Sequence, residues 1–531
     1  MLAQTMLPMT TQQRIQHLYW RAGFGPRPED VDASMSPRKA LRKLLRESEK
    51  YEPLDSPPMH YAELRPPFVP SAAPASGPDS RVAGMTTTPD RMATSANTAP
   101  VIATLTPRSL LTGSDATKLP LLRRRQLTPQ QRKMENEGIR EAFYQMNIGW
   151  LDRMAGSSAQ LREKMTFFWH GHFACRVRQP APALQLNNTI RKLALGKFGD
   201  LLLAVSKEPA MLQFLNNQQN RKQHPNENFA REVMELFTIG RGNYTEHDVK
   251  EAARAFTGWS SDESYQFIFR QKQHDAGPKT FLGRTGNFGG EDILNILLEQ
   301  PKTAEFITTK LYRFFVNDTP NLAHIQSLAQ AFYKSQYDIS DLLERMFSAD
   351  WFYEAANVGT RIKSPIELLA GIKRTLGVRL ENPRPLLGYQ KALGQTLFEP
   401  PNVAGWPGGR NWIDSSSLLL RLQLPQVLFK NAQFNVALKE DENDIAPSVS
   451  RADRTFRQQV KTHLELKPLA DFLAKIPEEQ HAAKLSEFLL QTPIRPENLA
   501  LVQQMATKAP SEARLKTMIT SLLALPEYQL M

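Results

Sequence analysis

The stretch HPNENFAREVMELFTIG, His224 to Gly240, decides what kind of fold this chain adopts. At 100° per residue Phe229, Val233, Leu236 and Phe237 fall on one apolar stripe, and Glu227, Asn228, Arg231, Glu232 and Glu235 gather opposite. The period predicts a helix over 226–239. It leaves open whether the polar side is a working site or the wet face of that helix. Next comes GRGNYTEHDVKEAARAFTGW, in which Gly240 and Gly242 suit a helix C-terminus and a tight turn. Thr245 with Asp248 has the spacing of a capping box that opens a second helix. The pair therefore reads as an αα-hairpin. Val249, Ala252, Phe256 and Trp259 form the second apolar side, and the alanines at 252, 253 and 255 permit close approach to a neighbour. The short glycine-rich connection requires the two helices to pack side by side. Arg231 is expected to pair with Glu227 or Glu235, its i,i+4 neighbours, and Glu251 with Arg254.

Helical periods dominate outward from this hairpin, at 128–155, 158–175, 186–205, 246–258, 291–299, 302–316, 321–334, 338–347 and 363–375. The exception is SYQFIFRQKQHDAGPKTFLGRTGNFGG, where Tyr265, Phe267 and Phe269 alternate with polar residues before a Gly/Pro loop, the pattern of a hairpin near 264–283. The expected fold is mainly α, a multi-helix bundle with one small β-hairpin. Eleven of the 38 prolines fall between Pro53 and Pro107, in a stretch rich in Ser, Thr and Ala. Such a composition cannot bury enough apolar surface to offset its ordering entropy. Residues 53–118 accordingly read as a disordered insertion or linker. The organisation becomes a helical segment at 1–52, that insertion, a main helical domain at 119–425, and a C-terminal helical subdomain at 426–531.

With 531 residues, 41% hydrophobic and 23% charged, the chain has the composition of a globular protein with a large core. No apolar run approaches the roughly 20 residues of a membrane helix. The first twenty residues, MLAQTMLPMTTQQRIQHLYW, have neither a basic n-region nor an apolar h-region, so no cleavable export signal is read in them. The net charge of +12 invites a nucleic-acid reading, yet only Arg123 to Arg125 form a dense basic run and no nucleic-acid-binding signature accompanies them. A generally basic exterior accounts for the charge, and no specific nucleic acid is expected as a partner.

The single cysteine, Cys175, excludes an intrachain disulfide and any multi-thiolate metal site. A metal, the one cofactor the residues suggest, must then use imidazole and carboxylate. MTFFWHGHFACRV carries His170 and His172 about a glycine. On a regular helix the two rings diverge by about 200°, whereas a break at Gly171 would let them converge. Glu232 and Glu235 stand three apart on one helical side, as in metal-carrying bundles. HDAGPK adds His274, Asp275 and Lys279 on a loop, with chemistry suited to metal binding or acid–base work. LGQTLFEPPNVAGWPGGRNWID packs Gln395, Asn402, Trp406 and Trp412 among Pro and Gly, either the floor of a sugar-binding cleft or a core plug. The candidate metal ligands are thus His170, His172, Glu232, Glu235, Asp248, His274 and Asp275. His170, His172, His274 and Asp275 are the catalytic candidates, and Arg231, Lys279, Trp406 and Trp412 the substrate-binding ones. A common site requires at least one of His170 and His172 to meet His274 or one of the carboxylates, with Arg231 or Lys279 holding an anionic group.

Taken in order, RAGFGP, FWHGHF, NENFARE–MELFTIG, YTEHDV–EAARAFTGW, HDAGPK–FLG, KSPIEL and PPNVAGWPGG resemble the bacterial family catalogued as domain of unknown function 1800, from about His17 to Arg421. The resemblance implies a protein commonly exported, and encoded beside a sulfatase-like partner of the family catalogued as domain of unknown function 1501. It brings no catalytic assignment to these residues. Three functions follow as expectations: a metal-assisted hydrolase of an envelope or extracellular substrate, a noncatalytic binding or assembly factor for the sulfatase-like partner, and a di-metal or haem redox protein.

Overall fold

A computed structural model describes residues 9–31, 34–57, 128–430 and 461–531. Most of the stretch read as an insertion, 58–118, lies outside the described residues. Its first residues correct that reading: Leu54 is buried and exchanges hydrogen bonds with the Asn188 side chain at 2.7 and 3.1 Å, so the chain is still tied to the helical body there. The described residues within 1–58 and 139–531 form one compact unit. Of a second unit, 59–138, the described part is 128–138, where Thr128 and Gln131 form a reciprocal cap on the first turns of a helix running Pro129–Gly156.

The chain is mainly α-helical, as its periods require. The innermost element is the helix Gln160–His172. Twelve of its thirteen residues are buried, so it has no wet face at all. Around it lie Thr11–Ala22, Pro37–Ser48, Pro180–Leu193, Phe198–Lys207, Pro301–Phe315 and Pro365–Thr375. Their starts obey local chemistry: Thr10 with Gln13 and Ser364 with Glu367 are reciprocal caps, and prolines occupy the first turn where no amide proton is needed. No described helix is long and apolar enough to cross a membrane.

The helix expected over 186–205 is two helices, Pro180–Leu193 and Phe198–Lys207. Between them the backbone leaves its own ladder for a distant segment: Phe198 N–H donates to Tyr337 O at 2.9 Å, and Ile339 N–H to Gly196 O at 3.0 Å. Tertiary pairing outweighs helical continuation there. The aromatic alternation at 265–269 is indeed a hairpin strand, and it pairs backward, Phe267–Phe269 against Trp259–Ser261. Lys279–Phe281 with Arg284–Gly286, and Arg379–Leu380 with Thr462–His463, make two further two-stranded pairs among the described residues.

One backbone contact fixes the loop PPNVAGWPGG on the central helix. Asn402 forms the turn, its Oδ1 accepting from Ala404 N–H at 2.9 Å and its carbonyl from Gly405 N–H at 3.1 Å. Gly405 then adopts φ +82°, and a Cβ there would lie 2.4 Å from the Gly171 carbonyl oxygen. A Cβ on Gly171 itself would meet nothing within 4 Å. The two glycines of these motifs should therefore respond in opposite directions. Gly405→Ala is expected to cost roughly 2–4 kcal/mol through left-handed strain and the clash. Gly171→Ala is expected to be neutral or to gain up to about 1 kcal/mol. Urea melts of the two variants decide it, and equal destabilisation would remove the argument.

Candidate functional site

The candidate residues occupy three separate places. The first is the outer side of the opening hairpin. Asn228–Glu232 is α-helical and widens into π-helical turns over Val233–Thr238, while Glu246–Ala255 forms the second helix. They pack as expected, with Phe229 edge-on to Phe256 at 4.9 Å. Arg231 clasps both carboxylate oxygens of Glu246 at 2.7 and 2.8 Å and reaches Glu227 at 3.2 Å. It is about a third exposed, so the expected pairing with Glu227 exists and belongs to the surface. Glu235 accepts from the Tyr244 hydroxyl at 2.6 Å and pairs with Arg241 at 3.0 Å. Burial first, and the Glu235 charge second, raise the Glu232 carboxyl above its ordinary range.

The second place is the C-terminal end of the central helix. The helix continues through Gly171 to His172, so the break that convergence needed is absent and the two rings go separate ways. His170 accepts a hydrogen bond on Nε2 from the Phe398 amide at 3.1 Å, which puts the proton of its neutral ring on Nδ1. Trp150, Phe398 and Trp406 surround it, with ring centroids 5.0, 5.4 and 5.5 Å away. Burial first, and the Arg191 charge second, push it down to about 3. His172 faces the opening hairpin: its Nε2–H donates to Phe237 O at 3.3 Å, and Lys310 Nζ donates to its Nδ1 at 3.1 Å. Burial, then the Lys310 charge, hold His172 well below its ordinary value. Lys310 also donates to Leu236 O at 2.9 Å, and burial lowers its amine to about 8. His172 and Lys310 thereby satisfy carbonyls that the π turns leave open at the end of MELFTIG. Trp406 lies half-buried over His170, and Trp412 is buried, which favours the plug over the cleft floor.

The third place is the HDAGPK loop, bound to the outer side of Glu246–Ala255. Asp248 combines its cap with an accepted bond from Leu282 N–H at 2.8 Å. Glu251 accepts from Thr280 N–H at 2.8 Å and pairs with Arg254, which reaches Asp275 at 2.7 Å. The Arg254 guanidinium, ahead of the Gly277 amide, keeps Asp275 below the usual carboxylate range. His274 Nδ1 meets Thr257 O at 3.0 Å. Lys279 is buried, its amine spent on the carbonyls of Asp275 at 2.6 Å and Gly277 at 2.9 Å rather than presented to an anion. Among the described residues no three His, Cys, Asp or Glu side chains are placed to share a metal ion. The structure does not bring the seven candidate ligands into one pocket.

What the sequence reading passed over is the charge buried in the core. Glu163 accepts from Arg191 Nε at 3.0 Å and from Trp150 Nε1 at 2.9 Å, and Lys164 donates to Glu367 at 2.6 Å. All four charges are at most 2% exposed. Arg162 bonds the carbonyls of Ser48, Arg191 and Lys192 at 2.8, 2.7 and 2.9 Å, closing the C-terminal ends of two neighbouring helices. The usable signal is REK, three adjacent charges that open a run otherwise dominated by apolar and aromatic residues.

Depth should separate the ion pairs. Arg191→Met strands the Glu163 carboxylate in the core and is expected to cost roughly 3–5 kcal/mol, whereas Arg231→Ala stays within about 1 kcal/mol of the wild type. Denaturant titrations check both, and a costly Arg231→Ala would show that the hairpin face is more than surface. The histidines add a pH signature. His170 falls from its ordinary 6.5 to about 3 on folding, so the unfolded chain binds the proton more tightly. Its contribution is intact above pH 6.5 and drains away between 6.5 and about 3, by ~1.4 kcal/mol per pH unit. His170→Gln should flatten stability against pH across that window, and an unchanged slope would refute the buried, neutral ring.

No curated protein and no solved structure matches the chain. The helical hairpin, the buried histidines and the loop bound to the hairpin all fall within one match, because a family model described as protein of unknown function (DUF1800) matches residues 17–530. The match spans nearly the whole sequence, well beyond the motifs that suggested it, and the chain belongs to that family.

Proposed function

We propose that this chain is a noncatalytic binding or assembly protein, and that its partner is the sulfatase-like protein which the family resemblance implies, in an envelope or extracellular setting. One observation supports this reading most. Five imidazoles and carboxylates of the family motifs are engaged with backbone groups of other elements: His170 with Phe398 N–H, His172 with Phe237 O, His274 with Thr257 O, Asp248 with Leu282 N–H and Glu251 with Thr280 N–H. Groups used in this way fix helix and loop positions, and moving them to serve a reacting atom would strand buried polar partners. Metal-assisted hydrolysis asks for three or more ligands at one point with an open position, and a redox centre asks for a comparable set. The scattered candidates suit neither.

The test is co-expression with the sulfatase-like partner, followed by size-exclusion chromatography and isothermal titration. The expected result is a stable complex, no stoichiometric transition metal on elemental analysis, and lowered melting points for His170→Ala and His172→Ala. A chain that carries one equivalent of metal, and loses a measurable hydrolytic activity in His170→Ala at an unchanged melting point, would overturn the reading in favour of an enzyme. Failure to bind that partner would overturn the partner assignment.

A further inference from the structure

KSPIEL opens the helix Pro365–Thr375 in the most strongly charged part of the interior, remote in sequence from the hairpin. Glu367 caps the helix through Ser364 and takes Lys164 Nζ at 2.6 Å. Arg21, Lys164, Arg361, Lys363 and Arg421 all act on this carboxylate or on one another, and none is more than 8% exposed. Among the described residues, the other acid acting on them is Asp318, 3.9 Å from Arg361 and half exposed. Five buried cations thus face one buried carboxylate, and the N-terminus of the Pro365 helix adds to the same sign.

Most of these cations are held by neutral groups. Lys363 Nζ donates to Tyr528 O at 2.7 Å and lies over the Trp20 and Tyr528 rings, 3.8 and 3.7 Å from their centroids. Arg21 bonds Asn357 O at 2.6 Å and Phe315 O at 3.3 Å. Arg421 is fully buried. Its Nη1 donates to Lys363 O at 2.9 Å and lies 3.5 Å from Gln529 Oε1, while its Nε and Nη2 have no acceptor among the described residues. The Nε2 of the buried Gln529 has none either. The unmatched edge of Arg421 is the fork that fits an oxyanion through two parallel hydrogen bonds. Three donor nitrogens on these two neighbouring side chains are without an acceptor, which suits an anion. A water would satisfy the N–H groups but leave the charge excess uncompensated.

We propose that Arg421, Gln529 and Lys363 form a buried binding site for a small oxyanion of the phosphate or sulfate type, seated on the Nε–Nη2 edge of Arg421. The site joins three segments distant in sequence: the helix Ser415–Lys430, the KSPIEL turn, and residues 528–531, which are bound to Arg361 and Lys363 by backbone hydrogen bonds of 2.8–3.3 Å. The bound anion therefore staples the end of the chain to the central core. This site is independent of the partner-binding reading and can hold if that reading fails.

The experiment uses the full chain, dialysed into a buffer free of both oxyanions, with thermal melts in phosphate, sulfate or chloride at matched ionic strength. The melting point is expected to rise with the logarithm of phosphate or sulfate concentration and to ignore chloride, since a ligand bound only by the native state stabilises it by mass action. The stronger of the two oxyanions identifies the ligand. Arg421→Lys keeps the charge but loses the fork, and Gln529→Leu loses the neighbouring donor. Each is expected to weaken the apparent affinity at least tenfold. If Arg421→Lys does not fold, Gln529→Leu carries the test alone. A wild type indifferent to both oxyanions, or a response retained in Gln529→Leu, overturns the proposal.

Discussion

The helix Gln160–His172 is buried on every side although it carries Arg162, Glu163, Lys164, Thr166, His170 and His172. An ordinary amphipathic helix sends its polar residues to water, and this one cannot. Each polar side chain must instead find a partner inside the protein, because an unpaired group there forfeits its hydration without return. That constraint orders the molecule. Arg162 closes the ends of the helices Pro37–Ser48 and Pro180–Leu193, and Glu163 fixes Arg191 and Trp150. Lys164 draws in the first turn of Pro365–Thr375, His170 receives the Phe398 amide, and His172 closes the carbonyl end of the opening hairpin. Read along the helix, the polar residues name the elements around it one by one.

This also explains why the histidines looked like ligands from sequence. A catalytic imidazole and a structural one share the same aromatic surroundings, and the difference lies in what meets the ring nitrogens. For His170 that partner is 228 residues away and for His172 it is 65, so neither can be read from local spacing. The hairpin is the opposite case. Its glycine turn, the Thr245–Asp248 cap and the Phe229–Phe256 contact are local and appear as read, whereas the second helix stops at Ala255 and leaves Trp259 on a strand. Arg231 and Glu227 were legible for the same reason, being one helical turn apart. Local pattern could not supply depth. Arg231–Glu227 and Glu163–Arg191 are alike as residue types, yet the first lies at the surface and the second in the core. Helix ends shaped by distant backbone, such as the break between Leu193 and Phe198, escaped for the same reason as the histidines' partners.

The polar residues of the family motifs therefore divide by environment. Those on the hairpin and the HDAGPK loop lie nearer the surface: Asp248, Glu251 and Arg254 stand three residues apart in turn along one helix and each grips the loop, two through its amides and Arg254 through Asp275. Such bonds hold a loop against a helix while screening keeps their net worth modest. Those in the interior are dry, and there the balance of sign matters. The pair Glu163–Arg191 is neutral as a unit and is complemented by Trp150 and the Asn187 and Asn188 side chains, so it needs nothing further.

The KSPIEL cluster is not neutral, and this distinguishes it from the Glu163–Arg191 pair. Burial lowers Lys164 to about 8 and Arg421 to about 10, and drives Lys363 well down, with repulsion from the neighbouring cations adding to that for both lysines. Against its own burial, Glu367 is held at about 2 by Lys164 and Arg361. One carboxylate cannot answer five positive side chains, and cation–π contacts soften the excess at Lys363, Lys164 and Arg361 without supplying a counter-charge. A fold that stabilised only its own chain would be expected to replace such residues with apolar ones of similar volume, since buried charge seldom improves stability. Their concentration where three remote segments meet is consistent with a requirement other than packing, and an anion on the open edge of Arg421 meets that requirement with the charge and the geometry the cluster lacks.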